Sequence, residues 1–255
     1  MPAFALRFVG QEALPPRLSD FDLEQFFTLL SDDVAAIRAQ FRSDHRLPAA
    51  LMLLFMRVAG RPLDGFNVLP RSLLRKTAEA LAVSPPSIAS LRSIYKRRQT
   101  LSKHQLWAKT YLGLRELEPD NEAALTATLL AQAADASHPD DLVQSACQWL
   151  FARRILIPGA RRLQDWARGA FATVEAQILS EVNAAVPPSA ASKVIDSAYS
   201  ARPNGDGTHL EWLKTPSKRH GPSTLSETLE KVRYLKELGA HDWNLGAVSL
   251  AKQQA

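Results

Sequence analysis

The sequence predicts an all-α protein, built from helical bundle subdomains that contain helix-turn-helix-like units. Glycine is scarce, with 11 of 255 residues, whereas the strong helix formers Ala, Leu, Arg and Gln are common. Apolar residues recur at helical spacing from Ser19 onward. Glycines and prolines stand where these periodic runs stop, which is typical of helix ends.

The bulk composition is that of a soluble globular protein, with 46% hydrophobic and 22% charged residues. The net charge of +5 and the pI near 9.5 make nucleic acid or an anionic surface plausible partners. There is no long apolar run and no signal-peptide pattern, so we expect a cytoplasmic protein without membrane segments. The single cysteine, Cys147, excludes an internal disulfide and is expected to be a core residue.

The first elements can be assigned from caps and apolar stripes. Ser31 is a natural N-cap, and Asp32 and Asp33 in the next turn suit the positive end of a helix dipole. "LPAALMLLFMRV" is apolar almost all round and predicts a buried central helix that ends at Gly60. "LSKHQLWAKTYLG" is a later helix that ends at Gly113.

The stretch "TAEALAVSPPSIASLRSIYKRRQT", residues 77–100, predicts two helices joined by a tight turn. Ser84 is the expected N-cap of the second helix and Pro85 its first residue. Ala82 occupies a position where a left-handed backbone often requires glycine, which costs about 1 kcal/mol for alanine. The apolar faces that the two helices are expected to bury are formed by Leu73, Leu74, Thr77, Ala78 and Leu81, and by Ile88, Leu91, Ile94 and Tyr95.

The opposite face of the second helix is small at its start and cationic at its end. A helical wheel places on it Pro86, Ala89, Ser90, Ser93, Lys96 and Arg97, with Arg92 at one edge. Small side chains let a helix enter a major groove, while Lys96, Arg97 and Arg98 can reach phosphates. Residues 71–109 contain nine Lys/Arg and one acid, an excess of eight in a chain whose total is +5. DNA binding is therefore expected here, with base discrimination falling to Arg92 and Arg97.

The second half of the chain is likewise predicted to consist of helices that are bounded by turns. An acidic helix between Pro119 and Pro139 is expected to connect two subdomains, and a long helix should run from about Ala160 to Ala185. A turn at Asn204-Gly205 and a basic loop follow. The last helix should begin with a capping box of Thr224 and Glu227 and end at Gly239; its predicted stripe is Leu225, Leu229, Val232 and Leu235.

Two further basic clusters accompany these elements. Arg153 and Arg154 suit a helix C-terminus, whereas Arg161 and Arg162 at a helix start are better candidates for an outside anion. The loop with Lys214, Lys218, Arg219 and His220 is either a solvated loop or a phosphate contact.

Catalytic and cofactor motifs are not found. The six histidines show no metal-ligand spacing, and no P-loop, G-x-G-x-x-G or G-x-S-x-G occurs. We therefore expect no enzymatic activity, no metal and no cofactor in this chain.

The stretch "FFTLLSDDVAAIRAQFRSDHRLPAALMLLFMRVAGRPL", residues 26–63, resembles the N-terminal region of TnpA-type transposases of the Tn-three family, which are replicative and form cointegrates. The matching positions include Asp32, Asp33, Arg42, His45 and Arg46. The resemblance continues through "AEALAVSPPSI", "YKRRQTLSKHQ", "YLGL", "RRILIP" and "WLKTPSKRHGPS", and it covers roughly residues 20–240. The sequence departs from the family pattern at three places: His45 precedes Arg46-Leu47 where the family commonly has Asn, Pro48-Ala49 follow where it commonly has Gly-Phe, and Ala82 replaces a glycine.

This resemblance implies a helical region that binds the terminal inverted repeats of a transposon, while the catalytic nuclease-type domain lies elsewhere in the transposase. The expected parts are an N-terminal DNA-binding subdomain (1–115), an acidic connector (116–140) and a second DNA-binding subdomain (141–255). Expected partners are double-stranded DNA and full-length transposase, at the bacterial nucleoid. The rival interpretation is a helical interaction scaffold that regulates transposition without touching DNA. The DNA-contacting candidates are Arg42, His45, Arg46, Ser87, Ser90, Arg92, Ser93, Lys96, Arg97, Arg98, His104, Arg154, Arg161, Arg162, Lys214, Lys218 and Arg219.

Overall fold

The computed structural model describes residues 6–202, 207–216, 222–240 and 243, and these ranges contain helices but no extended strand. The prediction of an all-α fold is confirmed. Two isolated β-bridges, Arg115 with Ile155 and Ala201 with Thr208, are the exceptions to helix and loop in these ranges. The helices are α1 Asp20–Gln25, α2 Ser31–Gln40, α3 Ser43–Ala59, α4 Arg71–Leu81, α5 Ile88–Tyr95, α6 Arg98–Tyr111, α7 Pro119–Ala133, α8 Pro139–Ala152, α9 Ala160–Ala185, α10 Pro188–Tyr199, α11 His209–Lys214 and α12 Pro222–Glu237.

The chain divides into two compact units, residues 1–171 and 172–255, with the boundary inside α9. The expected connector, 116–140, lies within the first of these units. The division into DNA-binding subdomains of 1–115 and 141–255 stays a prediction.

Helix α3 is the centre of the first unit and packs against α2, α4 and α6. Its residues from Leu47 to Met56 are all buried, because the sequence there is apolar on every side. The helix ends at Gly60, whose φ of 71° is a left-handed conformation that glycine adopts without steric cost. The buried central helix and its glycine stop are thus confirmed.

A polar cluster ties α2 and α3 to the end of α6. The side chain of Asp33 is buried and accepts two hydrogen bonds from Arg57, at 2.6 and 2.9 Å, and one from the Tyr111 hydroxyl at 3.0 Å. It also accepts from the backbone N–H of Leu30, which makes Leu30 the N-cap rather than Ser31. Burial alone raises the pKa of Asp33, but the bonds from Arg57 and Leu30 outweigh it, so the pKa lies below its usual value. Asp33 is therefore a structural carboxylate.

The connection between α4 and α5 differs from the predicted tight turn. Helix α4 ends with Ala82 in the left-handed region, φ 54°, as its position suggested. The next helix begins only at Ile88 with Ser87 as its N-cap, so the expected cap at Ser84 is wrong. A residue that precedes proline avoids the helical region, and this applies to both Ser84 and Pro85. The double proline thus keeps the chain extended until Ser87.

Both helices bury the apolar faces expected of them in one hydrophobic core. Helix α4 packs chiefly against α3, whereas α5 packs against α6. The buried Tyr95 hydroxyl donates a hydrogen bond to the Pro48 carbonyl oxygen at 3.0 Å. The chain then breaks at Lys96 and Arg97 and resumes as α6 at Arg98. The helix predicted to continue to Arg98 therefore ends at Tyr95.

Helices α7 and α8 complete the first unit as a packed pair. Pro119 begins α7, as the sequence predicts, because proline suits the first helical turn. Pro139 was expected only to bound that helix, but it is also the first residue of α8. Main-chain bonds clip the following segment to the bundle: Ile157 N–H donates to Gly60 O at 2.9 Å, and Leu156 N–H donates to Arg115 O at 2.8 Å. Cys147 is buried, as expected, and burial raises the pKa of its thiol.

In the second unit, α10 packs against α11, and Ser197 of α10 hydrogen-bonds Tyr234 of α12. Helix α12 begins at Pro222, so the predicted start at Thr224 is wrong, although the stop at Gly239 is confirmed by a φ of 76°. Its predicted stripe is exposed, from 39 to 63%, at Leu225, Leu229, Val232 and Leu235. The predicted turn at Asn204-Gly205 lies outside the described residues.

Candidate nucleic-acid interface

The solvent face of α5 is the one that the helical wheel predicts. Ala89, Ser90 and Ser93 are exposed, while Leu91 and Tyr95 are buried. Lys96 and Arg97 are also exposed but lie beyond the last residue of α5, and the half-buried Pro86 precedes its first. The Ser87 hydroxyl caps the helix by accepting from Ser90 N–H at 3.1 Å, and the Ser93 hydroxyl donates to the Ser90 carbonyl at 2.7 Å. Short side chains held close to the helix leave its backbone accessible to a large partner.

The cations of residues 71–109 are mostly without internal partners. Of the nine, Arg92 and Lys109 are engaged, Arg92 with the carbonyls of Phe66 and Asn67 and Lys109 with Glu116. The remaining seven have no ion-pair partner among the described residues: Arg71, Arg75, Lys76, Lys96, Arg97, Arg98 and Lys103. We call these seven the basic patch. Unpaired cations repel one another and attract an outside polyanion.

Arg92 is not available for the base discrimination expected of it. Its Nε donates to the Phe66 carbonyl at 2.8 Å, and a second nitrogen donates to Asn67. These bonds hold the loop between α3 and α4 against α5. A helical wheel of α5 shows which side of the helix Arg92 lies on, but it does not show that the carbonyl groups of this loop accept its hydrogen bonds.

A groove of about 580 Å³ lies beside the double proline. Arg71 and Arg75 of α4 line it together with Pro85, Pro86 and the N-cap Ser87. Two cations therefore flank the N-terminus of α5, where backbone N–H groups favour an anion. The sequence placed Arg71 and Arg75 in a basic region but did not single them out, because their distance from Ser87 depends on the fold.

The residues that the resemblance implicated, Arg42, His45 and His104, line one cavity, of about 730 Å³. Arg42 is exposed at the N-terminus of α3, and His45 is half-buried in its first turn. Arg46 instead donates to the Phe41 carbonyl at 3.1 Å, which gives it an internal role.

His104 is buried, with 2% exposure, so a direct contact with DNA is not compatible with its position. Its Nδ1 lies 3.0 Å from the hydroxyl of Tyr95, whose pKa burial raises strongly. Burial and the neighbouring His45 lower the pKa of His104 to about 4. The histidine is therefore neutral near pH 7 and joins α5 to α6.

The second basic cluster, around the turn between α8 and α9, is partly neutralised from within. Arg162 pairs with Glu122 of α7 at 2.8 Å and covers the ring of Trp166. The N–H of Ala160 at the start of α9 donates to Glu12 at 3.3 Å. Arg154 and Arg161 are exposed, and within the described part of the chain neither side chain has an ion-pair partner. Arg162 was expected to bind an anion of a partner molecule, but its anionic partner in this structure is Glu122 of the same chain.

In the second unit, Lys214 is exposed at the end of α11. Lys218, Arg219 and His220 lie outside the described residues. The loop as a phosphate contact stays a prediction.

Neither a metal centre nor a membrane span is found in the described ranges. No three His, Cys, Asp or Glu side chains there are arranged to hold a metal ion. Likewise, no described helix combines the length and hydrophobicity needed to cross a bilayer.

Comparison with known protein families gives a match over most of the first unit. Residues 11–170 match the family described as "Domain of unknown function (DUF4158)". Because this match covers more than half of the chain, the protein belongs to that family.

Curated relatives are transposases. The chain is 32% identical over 241 residues to the "Transposase for insertion sequence element IS1071 in transposon Tn5271" of Comamonas testosteroni, covering 94% of the chain and 25% of the relative. It is 24% identical over 227 residues to the "Transposase for transposon Tn1546" of Enterococcus faecium, covering 84% and 22%. The chain thus spans about a quarter of the length of these relatives. The predicted relationship to transposases is confirmed for nearly the whole chain.

Proposed function

We propose that this chain binds duplex DNA at the terminal inverted repeats of a transposable element, as the end-recognition region of a replicative transposase of the Tn-three family. It recognises the ends without cutting them and acts in the bacterial nucleoid, alone or beside a full-length transposase. The observation that carries this proposal is the basic patch around α4, α5 and α6, seven cations that have no ion-pair partner among the residues the structure describes.

The positions of these residues suit different contacts with DNA, some with the groove and others with the phosphates. The exposed serines Ser90 and Ser93 give α5 a low profile for entry into a groove, while Lys96, Arg97 and Arg98 at its end reach the phosphates. Arg71 and Arg75 in the groove at the N-cap Ser87 fit a phosphate of the same strand. Base contacts then fall to Arg97, since Arg92 is bound to the loop carbonyls.

The test is a binding titration at several salt concentrations. The duplexes carry the terminal ends of IS1071, with scrambled duplexes of the same length and composition beside them. Neutralising about six phosphates predicts a slope of log K against log salt near −5. The double reversal Lys96→Glu and Arg97→Glu removes two of these contacts, so we expect a slope near −3.5 and loss of DNA retention at moderate salt.

The matched control reverses two exposed cations outside the patch, Arg17→Glu and Arg168→Glu, and so makes the same change in net charge. Equal losses in both double variants would mean that only net charge matters. A flat salt response of the unaltered chain would sink the proposal.

The exposed apolar stripe of α12 favours a second candidate, a scaffold that contacts another protein of the transposition machinery. Under that function the Lys96 and Arg97 reversals leave partner binding intact, whereas Leu229→Ser with Val232→Ser abolishes it. Pull-down of full-length transposase with both pairs of variants separates the two functions.

A further inference from the structure

A cavity of about 730 Å³ lies between the N-terminal turn of α3 and the exposed side of α6, and among its lining residues only Lys103 belongs to the basic patch. This volume falls within the range of small-molecule pockets, roughly 300–1,000 Å³. It is open to solvent on one side and has three kinds of wall: aromatic rings, cations and hydroxyls. Each wall restricts what the cavity can hold.

The aromatic wall consists of Phe41 and Trp107, both half-buried. Their ring centroids are 5.0 Å apart and the planes are almost perpendicular, at 85°. Trp107 is further held by stacking on Tyr111 at 5.4 Å, and Phe41 by an edge contact with His104 at 4.9 Å. Two fixed rings at a right angle form a corner that accepts the face and the edge of another flat ring.

The cationic wall consists of Arg42 and Lys103, which approach from different helices. Both are exposed, and neither has an ion-pair partner among the described residues. No Asp or Glu is among the residues that line the cavity, although the carboxylate of Asp44 lies 3.7 Å from Nε2 of His45. The cavity therefore favours a negatively charged ligand.

An unsatisfied hydrogen-bonding atom lies in the same place. Nδ1 of His45 is shielded from solvent and has no hydrogen-bond partner among the described residues, although the ring belongs to the lining of the cavity. Such atoms are rare in folded proteins because leaving them unpaired is costly. A base in the cavity can pair with this nitrogen once the His45 ring turns toward the cavity, since water does not reach the atom in its present position.

We propose that this cavity binds one unstacked nucleotide, with its base in the corner of Phe41 and Trp107 and its phosphate between Arg42 and Lys103. Nδ1 of His45 hydrogen-bonds the edge of the base, and Thr100 at the rim faces the sugar-phosphate. Only a ligand with a planar, hydrogen-bonding ring and an adjacent anion uses all of these groups. The nucleotide is either free or an unpaired nucleotide of bound DNA; in the second case the inference rests on the proposed function.

The first experiment uses deoxyadenosine monophosphate and calorimetry with the full chain. We expect Trp107→Leu to weaken binding at least about 10-fold, because stacking contributes that much per base, whereas Trp107→Phe retains most of it. Lys103→Gln should weaken binding several-fold. Its matched control is Arg168→Gln, at an exposed cation outside both the basic patch and the cavity, with an unchanged affinity expected.

Inorganic phosphate and deoxyadenosine are the competing probes. If phosphate alone binds as tightly as the nucleotide, or if Trp107→Leu binds as tightly as the unaltered chain, the cavity is not a base pocket and the inference fails. Thermal melting of each variant separates loss of the pocket from loss of the fold. Because Lys103 is exposed, its substitution tests ligand binding without disturbing the packing of the core.

The second experiment compares a fully paired duplex with the same duplex carrying one unpaired nucleotide. We expect the unpaired nucleotide to tighten binding about 10-fold, and Trp107→Leu to abolish this gain without changing affinity for the paired duplex. If neither duplex binds but the mononucleotide does, the proposed function fails and the pocket takes a free nucleotide. If the paired duplex binds, with no gain from the unpaired nucleotide and no mononucleotide binding, the function stands and the pocket does not.

Discussion

The left-handed backbone at the end of α4 determines whether a glycine there stabilises or destabilises the protein. Ala82 has φ 54° and ψ 46°, a left-handed conformation that costs a residue with a Cβ about 1–2 kcal/mol. Ala82 is exposed, so removal of its methyl group sacrifices little packing. Glycine loses more chain entropy on folding, by about 0.5–1 kcal/mol. We therefore expect Ala82→Gly to stabilise the protein by about 0.5–1 kcal/mol.

The matched control is Ala80→Gly, two residues earlier, which is also exposed but lies in the right-handed helix. There glycine has only its entropic cost, so we expect a loss of about 0.5–1 kcal/mol. Denaturant titration and thermal melting measure both; for a unit of this size 1 kcal/mol corresponds to roughly 2–4 °C. An Ala82→Gly variant no more stable than the unaltered chain would refute the argument.

Two further predictions concern the buried polar groups. Asp33→Ala leaves Arg57 without its carboxylate and should cost about 3 kcal/mol, whereas Asp32→Ala at the exposed neighbour should cost less than about 1 kcal/mol; equal losses in urea titrations would contradict this. His104 has a folded pKa of about 4, below its usual 6.5, so the folded protein binds this proton less readily than the unfolded chain does. The folding stability that neutral His104 contributes is therefore fully present above pH 6.5 and is lost as the pH falls toward 4. We expect this contribution to fall by about 2 kcal/mol between pH 8 and pH 5; a His104→Gln variant with the same pH profile would disprove the assignment.

Elements with strong local signals were predicted well from the sequence. The long helix α9 runs from Ala160 to Ala185 as expected, because a proline-glycine turn precedes it and its apolar stripe is regular. Pro119 likewise marks the start of α7, whereas Pro139, expected to bound that helix, is the first residue of α8. At α5 two local signals compete, since Ser84 favours a cap but the double proline forbids helix before Ser87. The prediction weighed the cap and missed the steric restriction on the residue before each proline.

The candidate site was harder to predict, because the partners of charged groups are distant in sequence. Arg92 reaches carbonyls 25 and 26 residues away, and Arg162 pairs with a glutamate 40 residues earlier. His104 looked like a contact residue but is covered by Tyr95 and the ring of Phe41. A single sequence shows charge and periodicity, yet it does not show which cations the fold neutralises.

The backbone clip at Gly60 and Arg115 has a practical consequence for dissecting the protein. The N–H of Gly10 donates to the Ala59 carbonyl, and the N–H groups of Leu156 and Ile157 donate to the carbonyls of Arg115 and Gly60. Four stretches of chain that are remote in sequence are thus joined by main-chain bonds. An expression fragment that stops near residue 115 would leave acceptors at both positions facing solvent beside apolar side chains. Fragments meant for crystallisation or spectroscopy should therefore extend at least through the last turn of α9.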